Sequence, residues 1–132
     1  MRFGFVLMAT LLAAAPVAAQ SRAAESAAVA FPAGERGALA RQWFDTYNSG
    51  DVAGYRKFME ANAESGGTPI DARVERYGQM QQNLGKLTLL GATETPDGIE
   101  LKVRTGHGEE GTVTVMISGA APFRFQAVRV EI

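Results

Sequence analysis

Apolar residues recur along this chain with two different periods, first about 3.6 residues and later 2, and the change falls at Gly85. Ala40, Trp43, Phe44 and Tyr47 stand at i, i+3, i+4 and i+7, which places them on one stripe of a helix. Leu39 extends the stripe, whereas Arg36, Arg41, Gln42 and Asp45 lie largely off it. Asn48 and Gly50 tolerate left-handed backbone, so this helix is expected to end there. Asp51 is then placed to cap a second helix, its carboxylate accepting from the freed N–H groups. Val52, Tyr55, Met59 and Asn62 share one face of that helix, flanked by Phe58. Thr68-Pro69-Ile70-Asp71 reads as a third helix start, with Thr68 as N-cap and Pro69 at the first helical position. Its stripe of Ile70, Val74, Tyr77, Met80, Gln81 and Leu84 runs to a cap at Gly85. Gly78 costs such a helix about 1 kcal/mol against alanine, so it is expected to mark a close backbone contact.

Beyond Gly85 the alternation is that of strands. Lys86 to Thr95 carries Leu87, Leu89 and Leu90, and Pro96-Asp97-Gly98 is a turn with proline presetting φ. Ile99, Leu101, Val103 and Thr105 alternate with Glu100, Lys102 and Arg104. A second turn over Gly106 to Glu110 leads to Val113, Val115 and Ile117, which alternate with Thr112, Thr114 and Met116. In the last strand Phe123 and Phe125 hold one parity while Val128, Val130 and Ile132 hold the other. Such a slip of one residue predicts a β-bulge near Gln126. The pattern as a whole predicts an α+β fold: three N-terminal helices packed in a curved four-stranded antiparallel meander, a cone-shaped barrel.

The first residues follow a different logic. Arg2 precedes an apolar run from Phe3 to Ala15, and Val17-Ala18-Ala19 fits the small-residue cleavage rule. Residues 1–19 therefore read as a signal peptide, 20–34 as an alanine-rich flexible leader whose Phe31-Pro32 tucks against the domain, and 35–132 as the domain itself. Export to the periplasm or the medium is expected, with no membrane association once the signal is cleaved. Removing 19 of the 132 residues leaves 113, one domain by length. Taking Arg2 from the 13 basic residues leaves 12 against 14 acidic ones, a net charge of −2 with no basic footprint for nucleic acid. The chain has no cysteine, so in an oxidising compartment a packed core must hold it without disulfides.

The run Trp43-Phe44-x-x-Tyr47-Asn48-Ser49-Gly50-Asp51, a helix ending in an aromatic residue, Asn, Gly and Asp before a second helix, resembles the opening of nuclear-transport-factor-2-like (cystatin-like, polyketide-cyclase-like) domains. The resemblance extends over Gly37 to Ile132 and is nearest to the version that accompanies exported bacterial serine hydrolases, β-lactamase-like or tail-specific protease. It implies a cone-shaped α+β barrel, often dimeric through its sheet, with a pocket between helices and sheet. It also implies, for catalytic members, an Asp or His base and a Tyr or Asp donor inside that pocket. No Ser-x-x-Lys and no Gly-x-Ser-x-Gly occurs after the signal segment, so the hydrolase itself is not encoded here.

Candidate chemistry is sparse. Tyr47, Tyr55 and Tyr77 lie on apolar helical faces, where each can offer a hydroxyl to a cavity or simply belong to the core. With Trp43 and Asn62 they are the ligand-pocket candidates. Asn62 interrupts an apolar face and needs partners, from a ligand or from loop backbone near Gly66-Gly67. The inward strand positions carry Leu, Ile, Val, Thr and Phe and no base, so no catalytic residue is assigned. His107, the only histidine, sits in a turn whose plain reading is solvated, and a lone histidine without cysteine gives no metal site. Gly106-His107-Gly108-Glu109-Glu110-Gly111 spells G-x-G-x-x-G, but a strand follows where dinucleotide binding requires a helix. Arg73 and Arg76 are placed to meet an anionic ligand at the pocket mouth, or else to form a solvated face with Glu75.

These features point first to a non-catalytic exported domain, without cofactor, that binds a small apolar ligand or a protein partner. A homodimer through the sheet face bearing Thr112, Thr114 and Met116 belongs to that reading. A small isomerase, cyclase or hydratase using Tyr47 and Tyr55 is the alternative. An accessory subunit of a separately encoded periplasmic hydrolase follows from the resemblance alone.

Overall fold

Helix α1 (Glu35–Ser49) buries Leu39, Ala40, Trp43 and Tyr47 of the stripe that the spacing singles out, together with Gly37, while Phe44 is half-buried. The computed structural model describes residues 30–132; the expected signal peptide, 1–19, and the leader as far as 29 lie outside the described residues. Gly50, at φ 68°, ends α1 in the left-handed conformation that glycine adopts without strain. The Asp51 carboxylate accepts from the Ala53 N–H at 3.1 Å and starts α2 (Val52–Asn62). Helix α3 (Ile70–Leu84) begins one residue later than expected, because Pro69 has an extended ψ of 149° and is itself the N-cap. Its carbonyl accepts the Arg73 N–H at 3.1 Å. Thr68 makes no capping bond; the Arg73 side chain occupies its carbonyl instead. Gly78 is likewise not a contact point, since a Cβ built there meets no atom within 4 Å.

Four strands follow, β1 (Thr88–Thr95), β2 (Gly98–Arg104), β3 (Glu110–Ile117) and β4 (Phe125–Glu131), each antiparallel to the next in the order β1-β2-β3-β4. Strand β1 starts later than Lys86 because both backbone groups of Leu87 pair with the Asn48 side chain, at 2.8 and 2.9 Å. It also bulges between Leu89 and Gly91, which turns Leu90 outward. The expected slip in the last strand is present: Met116 faces Ala127 and Ile117 faces Phe125, leaving Gln126 unpaired between them.

The sheet stays open. Strands β1 and β4 are its two edges, so the expected cone-shaped barrel is an open α+β sheet-and-helix layer. Four strands are too few to enclose a filled interior, for which about eight are needed, and the helices supply the missing wall. Ile99, Leu101, Val103, Val113, Val115, Ile117, Phe125 and Val128 pack from the sheet against Leu39, Trp43, Tyr47, Tyr55, Met59, Tyr77 and Met80 from the helices. The Glu64 N–H donates to the Phe125 carbonyl at 2.8 Å and ties the end of α2 to the start of β4. The β1–β2 turn is held from the other end of α1, where Arg36 donates to the carbonyls of Thr95 and Pro96 at 3.1 and 3.0 Å.

Candidate functional site

The aromatic side chains picked out by spacing form one array across the three helices. Trp43 stacks on Tyr47 at 5.3 Å, Tyr77 meets Tyr47 edge-on at 5.7 Å, and Tyr55 stacks on Tyr77 at 4.0 Å. Trp43 and Tyr47 have no exposed surface, and Tyr55 and Tyr77 have almost none. Their polar atoms are engaged within the frame. The Tyr47 hydroxyl lies 3.1 and 2.9 Å from the carbonyls of Met80 and Gly85, and the Tyr77 hydroxyl donates to the Tyr47 carbonyl at 3.3 Å. Gln81 donates to that same carbonyl. Burial, then the neighbouring Tyr77 and Tyr55, pushes the Tyr47 phenol up to about 12. Burial raises Tyr77 as well. Tyr55 differs from the other two, because its oxygen accepts the Trp43 indole N–H at 3.1 Å and its own proton has no acceptor among the described residues. Burial raises its pKa, while the Trp43 bond and the charges of Arg73 and Arg76 pull the other way.

Of the five pocket candidates, Tyr55 alone lines the crevice between α3 and β4. Trp43, Tyr47 and Tyr77 sit behind it in the core. Asn62 is half-buried and donates to the Phe58 carbonyl of its own helix at 3.0 Å, so neither the Gly66-Gly67 loop nor a ligand is needed to satisfy it.

That crevice holds about 60 Å³ between Tyr55, Met59, Thr68, Ala72, Arg73, Arg76, Met80, Phe125, Ala127 and Val128. Ala72, Arg76 and Met80 also border a wider open groove of about 490 Å³, which runs on past Leu84 and Val130. The open edge at β4 leaves this channel, since no further strand covers it.

The burial of Arg73 is unexpected. Spacing places it either at a pocket mouth or on a solvated face beside Glu75, but it is only 7% exposed, with its guanidinium 5.5 Å from the Phe125 ring centre. Nε donates to the Thr68 carbonyl and Nη1 to the Gln126 carbonyl, both at 2.9 Å. It therefore braces the β4 bulge against the loop before α3. Neither Arg73 nor Arg76 belongs to any of the five ion pairs among the described residues. Arg76 reaches only the Val128 carbonyl, at 3.4 Å. The signal for Arg73 was in the sequence: it stands at i+3 from Ile70 and i−4 from Tyr77, on the buried stripe.

Other candidates fall outside the crevice. His107 is exposed in the β2–β3 turn, where the Thr105 hydroxyl accepts from the N–H groups of His107 and Glu109. Strand β3 follows that glycine-rich turn directly. Among the described residues no group of three or more His, Cys, Asp and Glu is placed to hold a metal, and no helix is long and apolar enough to cross a membrane. On the outer sheet face Thr112 and Met116 are half-buried. Thr114 is only 3% exposed, flanked in register by Glu100 and Arg129, so the face is less open than its alternation predicts. Phe31 packs on Phe44 at 5.8 Å beside a groove along α1. Compared with known protein families, curated proteins and solved structures, nothing matches this chain.

Proposed function

We propose that this chain is a non-catalytic binding domain that takes a small apolar molecule in the crevice between α3 and β4. The observation that carries the reading is the crevice itself. Met59, Met80, Phe125 and Val128 supply an apolar lining, with Tyr55, Thr68, Arg73 and Arg76 as the polar side chains at its wall. A catalytic use of Tyr47 fits the geometry less well, because its hydroxyl is held by two backbone carbonyls deep in the core. Export of the domain, and its kinship with nuclear-transport-factor-2-like domains, belong to the same proposal. They rest on the pattern of residues 1–19 and on the Trp43 to Asp51 motif.

Native mass spectrometry of the protein purified from its own source tests this reading. A reproducible small-molecule adduct, lost when Met80→Arg fills the crevice, is the expected result. A bare mass that stays bare after incubation with apolar candidates contradicts it.

A further inference from the structure

We propose that the molecule held between α3 and β4 is an amphiphilic carboxylate, its head group on Arg73, Arg76 and Tyr55 and its chain along the groove toward Leu84. The inference rests on the crevice being a ligand site and adds the chemical class of the ligand. A buried guanidinium is costly without a counterion, and carbonyl oxygens satisfy its hydrogen bonds without neutralising its charge. Arg73 is more than nine-tenths buried, lines the crevice and forms no ion pair among the described residues. Its Nε and Nη1 are engaged by carbonyls, whereas Nη2, beside Gly67 and not sealed from solvent, makes no hydrogen bond among the described residues. Arg76 adds a second positive charge on the same wall, and the Tyr55 hydroxyl adds a proton free to donate.

No carboxylate lines the crevice; Glu75 borders only the wider groove. Two guanidinium groups and a phenol around a small space suit a carboxylate, whose two oxygens accept from a fork of N–H donors. The apolar part has a path as well. Arg73, Arg76, Met80 and Leu84 recur at helical spacing along α3, and Val130 of β4 faces the same groove. From Arg73 to Leu84 the helix axis advances about 16 Å at 1.5 Å per residue, enough for a medium-length acyl chain.

The test is titration calorimetry of the protein with octanoate and, separately, with 1-octanol, which keeps the chain and lacks the charge. Octanoate is expected to bind at least about tenfold more tightly than 1-octanol. Arg76→Gln, at an exposed position, is expected to weaken octanoate by about tenfold and to leave 1-octanol unchanged. Arg73→Gln is expected to do the same where circular dichroism shows it folded. Equal affinities for the two probes overturn the carboxylate assignment and leave the apolar crevice standing. Octanoate binding that neither arginine change weakens overturns it too, by placing the head group elsewhere. Absence of binding by either probe overturns the crevice reading itself.

Discussion

Single residues in this protein reward attention to what each backbone group meets. Asn48 is the clearest case: one amide pairs with both the N–H and the carbonyl of Leu87 and so joins the end of α1 to the start of the sheet. Asn48→Ala leaves both half-buried groups without partners and is expected to cost about 1–3 kcal/mol in urea unfolding. Gly78 is the opposite case. Nothing lies within 4 Å of a Cβ there, so Gly78→Ala restores helix propensity without a clash. The expected gain is about 0.5–1 kcal/mol, read as a raised denaturation midpoint. Gly37 tolerates no such change, because a Cβ there runs into the Pro32 carbonyl and would displace Phe31 from Phe44.

At the scale of elements, capping and bulging decide where helices and strands begin. Asp51→Ala removes the bond to the Ala53 N–H and is expected to destabilise the fold by about 1 kcal/mol. That cap, the Gly50 and Gly85 stops and the Gln126 bulge were legible in the sequence, because each depends on local chemistry or on parity. The Thr68 cap does not form, since Pro69 takes an extended ψ and stands at the N-cap position itself. The late start of β1 has a more distant origin, in a side chain 39 positions earlier. The site was legible to a smaller degree. Helical spacing located the aromatic residues but could not tell which would face a crevice and which would lie behind it. Tyr55 and Tyr47 have equivalent sequence signals and different fates, because the open edge at β4 lies beside only one of them. The burial of Arg73 was not legible, because a charge on a stripe reads as a residue at the pocket mouth or on a solvated face, whereas the Gln126 and Thr68 carbonyls and the Phe125 ring accommodate it inside.

At the scale of the whole molecule, three buried phenols in mutual contact set an alkaline limit to stability. An unfolded tyrosine titrates near the ordinary value of 10.0, while the folded chain holds Tyr47 protonated up to about 12 and raises Tyr55 and Tyr77 as well. A folded pKa above the unfolded one contributes stability that is complete below pH 10.0 and is lost as pH rises toward about 12. The urea midpoint is therefore expected to be lower at about pH 11 than at about pH 9, and Tyr47→Phe is expected to flatten that difference. The same array fixes α1, α2 and α3 to one another, so that α3 stands off the free edge of the sheet as a rigid wall. The crevice is a consequence of that arrangement.

Its role as the binding place is tested most directly by an amide ¹H–¹⁵N correlation spectrum recorded during titration with octanoate. The account predicts that shifts concentrate on Thr68, Ala72, Arg76, Met80 and Val128, around the crevice between α3 and β4. Shifts concentrated instead on the groove beside Phe31 and Phe44, or on Thr112 to Met116 of the outer sheet face, would contradict it.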